Sequence, residues 1–358
     1  MKVGIVGLPN AGKSTLFNAL TSAGATTGEY PFTTIDPNTA IVAVPDPRLE
    51  RVAEIVGSSP VVHETIEFWD IAGLVRGASR GEGLGNRFLA AIRETDAICH
   101  VVRCHDTPEI PHPDGRIDPV ADMELIEAEL CAADLDTATG RFDRVTKQAR
   151  SGDAEAEAER GWLEAVMEAL AAGRPVRSVP APDAAAEAPM RLQALTSKPM
   201  LYVANVEEGV DEVPAAVAAR ADATGATAIA ISARIEAELV ELSDDGERGQ
   251  MRAELRIAES GLERLIAATW SLLGLITFFT AHEGTEATAR SVPAGATAYE
   301  AAGTVHGEIQ AGFVRAEVIA WDALVEAGGY ARARARGLLR VEGRDYVLRE
   351  GDVITIRH

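Results

Sequence analysis

The most constraining feature of the sequence is the run Gly7-Leu8-Pro9-Asn10-Ala11-Gly12-Lys13-Ser14, which spells G-x-x-x-x-G-K-S. It follows the apolar residues Val3, Ile5 and Val6 and precedes Ser14 to Leu20, which reads as a helix. Glycines at both ends of such a loop let backbone N–H groups turn inward around phosphate oxygens, and the following helix presents its positive end. Lys13 can reach the β and γ phosphates and the Ser14 hydroxyl can ligate Mg²⁺. Asn10, Ala11, Gly12, Lys13, Ser14 and Thr15 are therefore the expected phosphate-binding residues. A strand feeding such a loop and helix predicts an α/β class, a P-loop domain with a mostly parallel sheet flanked by helices.

Composition sets limits on the rest. The 358 residues are 47% hydrophobic, enough for two or three domains at ~150 residues each. A net charge of −21 argues against a uniformly basic surface that coats nucleic acid, and no DNA partner is expected. Cys99, Cys104 and Cys131 form no C-x-x-C pair, so neither a disulfide framework nor a zinc site is indicated. The residues before Pro9 are too short an apolar stretch for a secretory signal. The longest uncharged run, Leu265 to Ala281, falls short of a membrane span. The expected setting is the reducing cytoplasm, without a membrane partner.

Along the chain, strands are expected at Thr39 to Val44, Glu64 to Asp70, Ala97 to Arg103, Pro199 to Ala204 and Ala226 to Ile231. Between them, Asp118 to about Gly173 changes to Ala, Glu, Asp and Leu with apolar residues at helical spacing, which predicts an inserted helical hairpin. Pro175, Pro180, Pro182 and Pro189 mark the stretch that follows as a linker. Short strands at Thr277 to Thr280, Phe313 to Ile319, Gly343 to Leu348 and Asp352 to Ile356 predict a small α+β domain at the C-terminal end. The expected division is 1–117 with 197–276, an insert at 118–196, and 277–358.

Asp70-Ile71-Ala72-Gly73 places a carboxylate beside the metal and a glycine N–H beside the γ-phosphate. Thr34, in the loop Tyr30-Pro31-Phe32-Thr33-Thr34, is the preferred second Mg²⁺ ligand over Thr33. Guanine is commonly read by Asn-Lys-x-Asp, but here the strand at 200–204 is followed by Asn205-Val206-Glu207-Glu208. A carboxylate moved by one methylene loses its bidentate fit to guanine, so guanine specificity is not expected. The position that usually holds a water-orienting glutamine is Leu74, which cannot polarise water. His112, in the loop 110–115, is one polar group that titrates near neutrality, although a solvated loop histidine is the default reading. His100, inside an apolar strand, reads as a satisfied core residue, and Cys99 and Cys104 read as buried, inert thiols, with oxidation sensitivity as the alternative.

With these residues in place the sequence resembles the Obg-like ATPases of the YchF subfamily, a translation-factor-related branch of the P-loop GTPases. The matching stretches are Gly7 to Leu20, Tyr30 to Asn38, Pro45 to Leu49, Asp70 to Asp96, Asn205 to Glu208 and Ser232 to Leu239. The resemblance implies a C-terminal TGS domain of β-grasp type. It implies ATP preferred over GTP, with Asn205, Val206 and Glu208 at the base and Ser232 and Ala233 behind it. It also implies His112 in catalysis beside Lys13 and Gly73, Ser14, Thr34 and Asp70 as the Mg²⁺ set, and K⁺ as a further ion at Asn10. Members of the family associate with ribosomes, so ribosome or ribosomal RNA is the expected partner. Arg332, Arg334, Arg336, Arg340 and Arg344 are a local basic cluster that would suit RNA phosphates, against a solvated helix face as the alternative. Two departures from the family pattern are a shortened tail at Ile354 to His358, which predicts a weaker last strand, and the Ala- and Pro-rich stretch Val179 to Pro189. A GTPase with unorthodox base recognition, and an ATP-gated binding module with incidental hydrolysis, are the competing readings.

Overall fold

In the computed structural model the described residues are 1–26, 38–71, 84–107, 115–242, 244–255, 257 and 259–358. Thr34, Gly73, Leu74 and His112 lie outside them. The first half contains β1 (Lys2–Val6), α1 (Lys13–Thr26), β2 (Thr39–Val44), α2 (Pro47–Val56), β3 (Val61–Val62), β4 (Glu64–Asp70), α3 (Leu84–Arg93), β5 (Ala97–Arg103), α4 (Pro119–Ala149) and α5 (Ala154–Ala171). Then come α6 (Ala188–Leu192), β6 (Met200–Asn205), α7 (Ala215–Ala223), β7 (Thr227–Ile231), α8 (Ala233–Glu241), α9 (Asp245–Glu254) and α10 (Gly261–Leu272). The C-terminal part contains β8 (Leu275–Thr280), β9 (Ala287–Pro293), α11 (Ala298–Val305), α12 (Gly307–Ala311), β10 (Arg315–Ala320), α13 (Trp321–Ala327), α14 (Tyr330–Ala335), β11 (Arg340–Glu342) and β12 (Asp352–Arg357).

The chain forms two compact units, the described residues of 1–26, 33–42 and 67–272, and those of 43–66 and 273–358. In the first, a six-stranded sheet has the order β2-β4-β1-β5-β6-β7, and β1 pairs in parallel with both β4 and β5. Every residue of β5 and of β6 is buried, as parallel strands covered on both faces require. One face is closed by Phe88, Leu89 and Ile92 of α3 and by Met123, Ile126 and Leu130 of α4, packed with Val6, Ile98, Val102 and Tyr202.

The expected helical insert is α4 and α5, each begun by an aspartate cap. Asp118 accepts from Ala121 N at 3.1 Å, and Asp153 accepts from Glu155 N at 3.0 Å. The proline-rich stretch is not a loose linker. Short helical turns at Val176–Ser178 and Asp183–Ala185 and the helix α6 place Val176, Ala185, Ala188 and Leu192 in one core with Trp162, Leu163 and Val166 of α5. Small alanines allow that close approach while prolines begin the turns, Pro175 and Pro182 just before the first two and Pro189 in the first turn of α6, so composition alone misreads the segment. The buried Asp134 carboxylate fastens it further, accepting from Leu195 N, Thr196 N and Thr196 Oγ1 at 2.8, 2.7 and 2.7 Å.

In the second unit β8 and β9 form an antiparallel hairpin, β12 runs parallel to β8, and β10 lies antiparallel to β12. The order β9-β8-β12-β10, with α11 following the first hairpin, is the β-grasp arrangement, extended by β11 at one edge and β3 at the other. Residues 43–66, from the end of β2 to the start of β4, gather here although both those strands belong to the first sheet. Leu49, Val52 and Ala53 of α2 share a core with Phe279, Ala287, Ile319 and Leu324. The strand expected at Gly343 to Leu348 is absent; the strand is β11, and Val347 makes only an isolated bridge to Thr297. The Asp352 carboxylate accepts from Arg349 N at 2.9 Å and Tyr346 Oη at 2.8 Å, which curls that segment into a turn. The last strand is not weak: β12 pairs on both sides, and Asp352 to Thr355 are buried.

Candidate functional site

The loop expected to bind phosphate runs between β1 and α1 and takes a conformation that its glycines permit. Gly7 has no room for a side chain, since a Cβ would lie 2.4 Å from the Val101 carbonyl oxygen. Gly12 has φ +98°, and a Cβ there would meet Asn205 Nδ2 at 2.2 Å. Asn10 adopts φ +65°, a conformation that asparagine tolerates better than most residues. Lys13 is buried, and its ammonium donates to the Leu8 carbonyl at 2.9 Å across the loop. Burial pushes its pKa below the ordinary lysine range, while the charge of Asp70 acts the other way. Ser14 and Thr15, in the first turn of α1, are exposed.

Asp70 ends β4 opposite Ile5 of β1, and its backbone N–H donates to Asn38 O at 3.0 Å. The strand order therefore brings Asp70 beside the loop that carries Lys13 and Ser14. Among the described residues no three His, Cys, Asp or Glu side chains cluster to hold a metal by themselves. An exposed Ser14 hydroxyl and a nearby carboxylate fit Mg²⁺, which takes few protein ligands and completes its shell with phosphate and water.

Asn205, the last residue of β6, joins two loops. Its Nδ2 donates to the Ala11 carbonyl at 3.0 Å, and its Oδ1 accepts from the Ala233 N–H at 3.0 Å. Ser232 is the residue before α8, so the 232–233 corner and the phosphate loop hang on one carboxamide. Glu208 is exposed at the mouth, whereas Val206 is 3% exposed with its side chain in the core cluster of α3 and α4. Parallel strands end together at this edge of the sheet, where α/β proteins commonly bind ligands. A cleft of ≈ 350 Å³ opens there, lined by Asn10, Gly12 and Thr15, by residues 205–208, and by Ser232, Ala233 and Arg234. That volume suits a small organic ligand.

His105 and Thr107 also line the cleft, though the motifs did not single them out. Their one sequence signal is position, directly after the expected strand Ala97 to Arg103. Two other sequence expectations divide. His100 is fully buried, but neither ring nitrogen has a hydrogen-bond partner; the ring lies 5.3 Å from that of Tyr202, and burial lowers its pKa to about 3. Burial raises the Cys99 and Cys104 thiols to about 12 and Cys131 to about 11, so all three are protonated and unreactive near neutrality. The five arginines do not form one free basic face. Arg332, Arg334 and Arg336 are exposed, but Arg334 bonds Glu317 at 3.1 Å, Arg340 bonds Tyr346 Oη at 2.8 Å, and Arg344 bonds Phe313 O at 3.2 Å.

A glycine-bordered loop with a buried lysine, set between a parallel strand and a helix beneath a ligand-sized cleft, defines a P-loop nucleotide-binding protein. The family model described as "50S ribosome-binding GTPase" matches residues 2–130, and a YchF C-terminal model described as "Protein of unknown function (DUF933)" matches residues 275–358. The "Ribosome-binding ATPase YchF" of Bacillus subtilis (strain 168) is 47% identical over 366 aligned positions, covering 100% of this chain and 99% of that protein. The protein of the same name from Haemophilus ducreyi is 48% identical, covering 99% and 98%. The solved "Structure of the Schizosaccharomyces pombe YchF GTPase" superposes with a TM-score of 0.87 at 32% identity, over 100% of this chain and 97% of that one. The chain belongs to the YchF family. No helix among the described residues is long and apolar enough to cross a membrane.

Proposed function

We propose that this protein is a Mg²⁺-dependent ATPase whose nucleotide state regulates its association with the ribosome. The observation that carries the reading is the Asn205 clasp: it fixes a base-binding corner at 232–233 against the phosphate loop, and the carboxylate that follows is Glu208 rather than an aspartate after Lys. The relatives named as ribosome-binding ATPases support both the substrate and the partner. In this reading the loop Asn10 to Thr15 holds the phosphates, and Lys13 neutralises charge that develops during transfer. Ser14 and Asp70, with Thr34, would hold Mg²⁺, which supplies charge neutralisation across the phosphates. Gly73 would donate to the γ-phosphate and His112 would position the attacking water in place of glutamine, with K⁺ beside Asn10 as an added positive charge. In this reading residues 1–117 and 197–276, apart from the stretch 43–66 that groups with 273–358, form the nucleotide domain, 118–196 the insert and 277–358 the TGS domain. The cytoplasm is the compartment where such a partner is found.

The specific alternative is GTP, because the fission-yeast relative is titled a GTPase. Competition of unlabelled ATP and GTP against a fluorescent adenine nucleotide in Mg²⁺ and K⁺ separates the two. ATP should displace the probe at far lower concentration; displacement by GTP at equal or lower concentration would overturn the ATPase reading.

A further inference from the structure

Helix α8 begins at the 232–233 corner, and its own N-cap residue does not close it. The Ser232 hydroxyl makes no capping bond, and the Ala233 N–H goes to the Asn205 carboxamide. One turn on, Glu236 is 4% exposed, on a helix face that otherwise buries Ala233, Ile235 and Leu239. A carboxylate withdrawn from water is stable only where donors are aimed at it. Here the donors come from the start of α10, 24 to 26 residues later. The Gly261 N–H donates to Oε1 at 2.7 Å, and the Ser260 hydroxyl and the Leu262 N–H donate to Oε2 at 2.8 and 3.3 Å. Glu236 stands four residues after Ser232, one too far for the reciprocal cap in which the third residue folds back on its own helix start, and it turns to the neighbouring helix instead.

The contact serves both helices. The first N–H groups of α10 have no partner within their own helix, and an acidic group at that positive end satisfies them. For α8 the same carboxylate is a tether. The Glu236 N–H donates to the Ser232 carbonyl at 3.1 Å, so a side chain fixed on α10 fixes the residue that closes the corner. Gly261 lets the two approach: a Cβ there would lie 2.9 Å from Glu236 Oε1 and 2.9 Å from Ile231 Cγ2. Ile231 is the last residue of β7, directly before Ser232. The start of α10 therefore grips the segment 231–236 at both ends, and Asn205 holds it in the middle.

We infer that Glu236 is a positioning residue for the bound nucleotide: it lies behind the lining of the cleft and, by clasping the start of α10, sets the 232–233 corner at the height the nucleoside needs. The inference rests on the nucleotide-binding reading above, in which that corner faces the base. Asn205 touches both the corner and the phosphate loop, whereas Glu236 holds the corner alone. The phosphate loop keeps its shape through bonds of its own, from Ala11 N and from Lys13 Nζ to the Leu8 carbonyl at 3.3 and 2.9 Å. Loss of the Glu236 clasp is therefore felt at the nucleoside end of a ligand and not at its phosphates. The action is geometric, so an uncharged side chain of the same length serves. A glutamine carbonyl can take the Gly261 N–H while its amide donates to the Ser260 hydroxyl, which already accepts from Leu262 N at 3.2 Å.

The test is a titration of the full chain with a ribose-labelled fluorescent ATP, in competition with ATP and with inorganic triphosphate, which has no nucleoside. Glu236→Ala should weaken ATP about 10-fold and leave inorganic triphosphate within about 2-fold of wild type. Glu236→Gln should recover most of the loss. Gly261→Ala, which keeps the carboxylate but drives a Cβ against it and against Ile231, should reproduce the selective loss and serves where Glu236→Ala does not fold. ATP affinity unchanged in a folded Glu236→Ala, or in Gly261→Ala, overturns the inference. Equal losses for ATP and inorganic triphosphate overturn it too, because the whole cleft would then have loosened. A glutamine variant as weak as the alanine one would assign the effect to charge and overturn the geometric reading. Wild-type protein that binds inorganic triphosphate but not ATP would overturn the nucleotide reading itself.

Discussion

Asn205 and Ala11 are 194 residues apart in sequence, and the Asn205 carboxamide donates to the Ala11 carbonyl at 3.0 Å inside the protein. The same side chain accepts from Ala233 N, so its removal leaves a buried carbonyl and a buried N–H without partners. Each orphaned group costs about 1–3 kcal/mol. Asn205→Ala should weaken ATP binding roughly 10- to 100-fold through loss of the shape of both loops. Gly12→Ala attacks the same contact from the other side, because its Cβ would meet Asn205 Nδ2. The two losses should therefore combine less than additively in a double-mutant cycle; full additivity of the measured binding free energies would dissociate the clasp from nucleotide affinity.

Lys13 is charged and buried with one carbonyl partner, an arrangement suited to a ligand that brings negative charge. Lys13→Met should abolish measurable ATP binding while leaving the nucleotide-free protein at least as stable to urea. The sign of the pH effect follows from the lowered pKa of Lys13 in the folded state. The unfolded chain holds the proton more tightly, so wild-type stability rises as pH approaches ~10.4 and Lys13→Met lacks that component. A methionine variant markedly less stable than wild type at pH 7 would contradict this account.

His100 carries two buried ring nitrogens without partners, which costs stability even in the neutral form. With a folded pKa of about 3, it stays neutral while the unfolded chain protonates it near ~6.5. Stability is full above that value and falls as pH drops toward the folded pKa. From pH 7 to 5 this one group accounts for about 2 kcal/mol. His100→Leu should remove that slope and equal or exceed wild type at pH 7; urea unfolding at the two pH values gives the comparison, and an unchanged slope would refute it.

Asp134 accepts three hydrogen bonds from Leu195 and Thr196, at least two of them on one oxygen. Burial nevertheless raises its pKa, opposed by those bonds. Asp134→Asn replaces one acceptor oxygen with a donor that faces an N–H, so about 2–4 kcal/mol of stability should be lost, by the cost of an unsatisfied buried pair. Chemical denaturation measures it, and a loss under ~0.5 kcal/mol would show that the segment after the proline-rich stretch is held by packing alone.

What the sequence determined by itself was local. A strand–loop–helix with glycines at fixed offsets dictates the phosphate loop, and long apolar runs dictate buried parallel strands, because backbone conformation and burial are set by neighbouring residues. Thr39–Val44, Glu64–Asp70 and Ala97–Arg103 were legible to the residue for that reason. Tertiary structure alone decided the long-range pairings. Alpha-helix 2 packs with β8 and β9 some 230 residues later, the proline-rich stretch packs on α5, and Asp352 turns the chain at Tyr346 where alternation had suggested a strand. His105 belongs with these. Nothing in its neighbours marks it, and only the side-by-side order β1-β5-β6-β7 and a bond from the buried Arg103 to its carbonyl bring it to the cleft. Hydrogen bonds and cores that join distant segments depend on which strands lie adjacent, which local pattern does not encode.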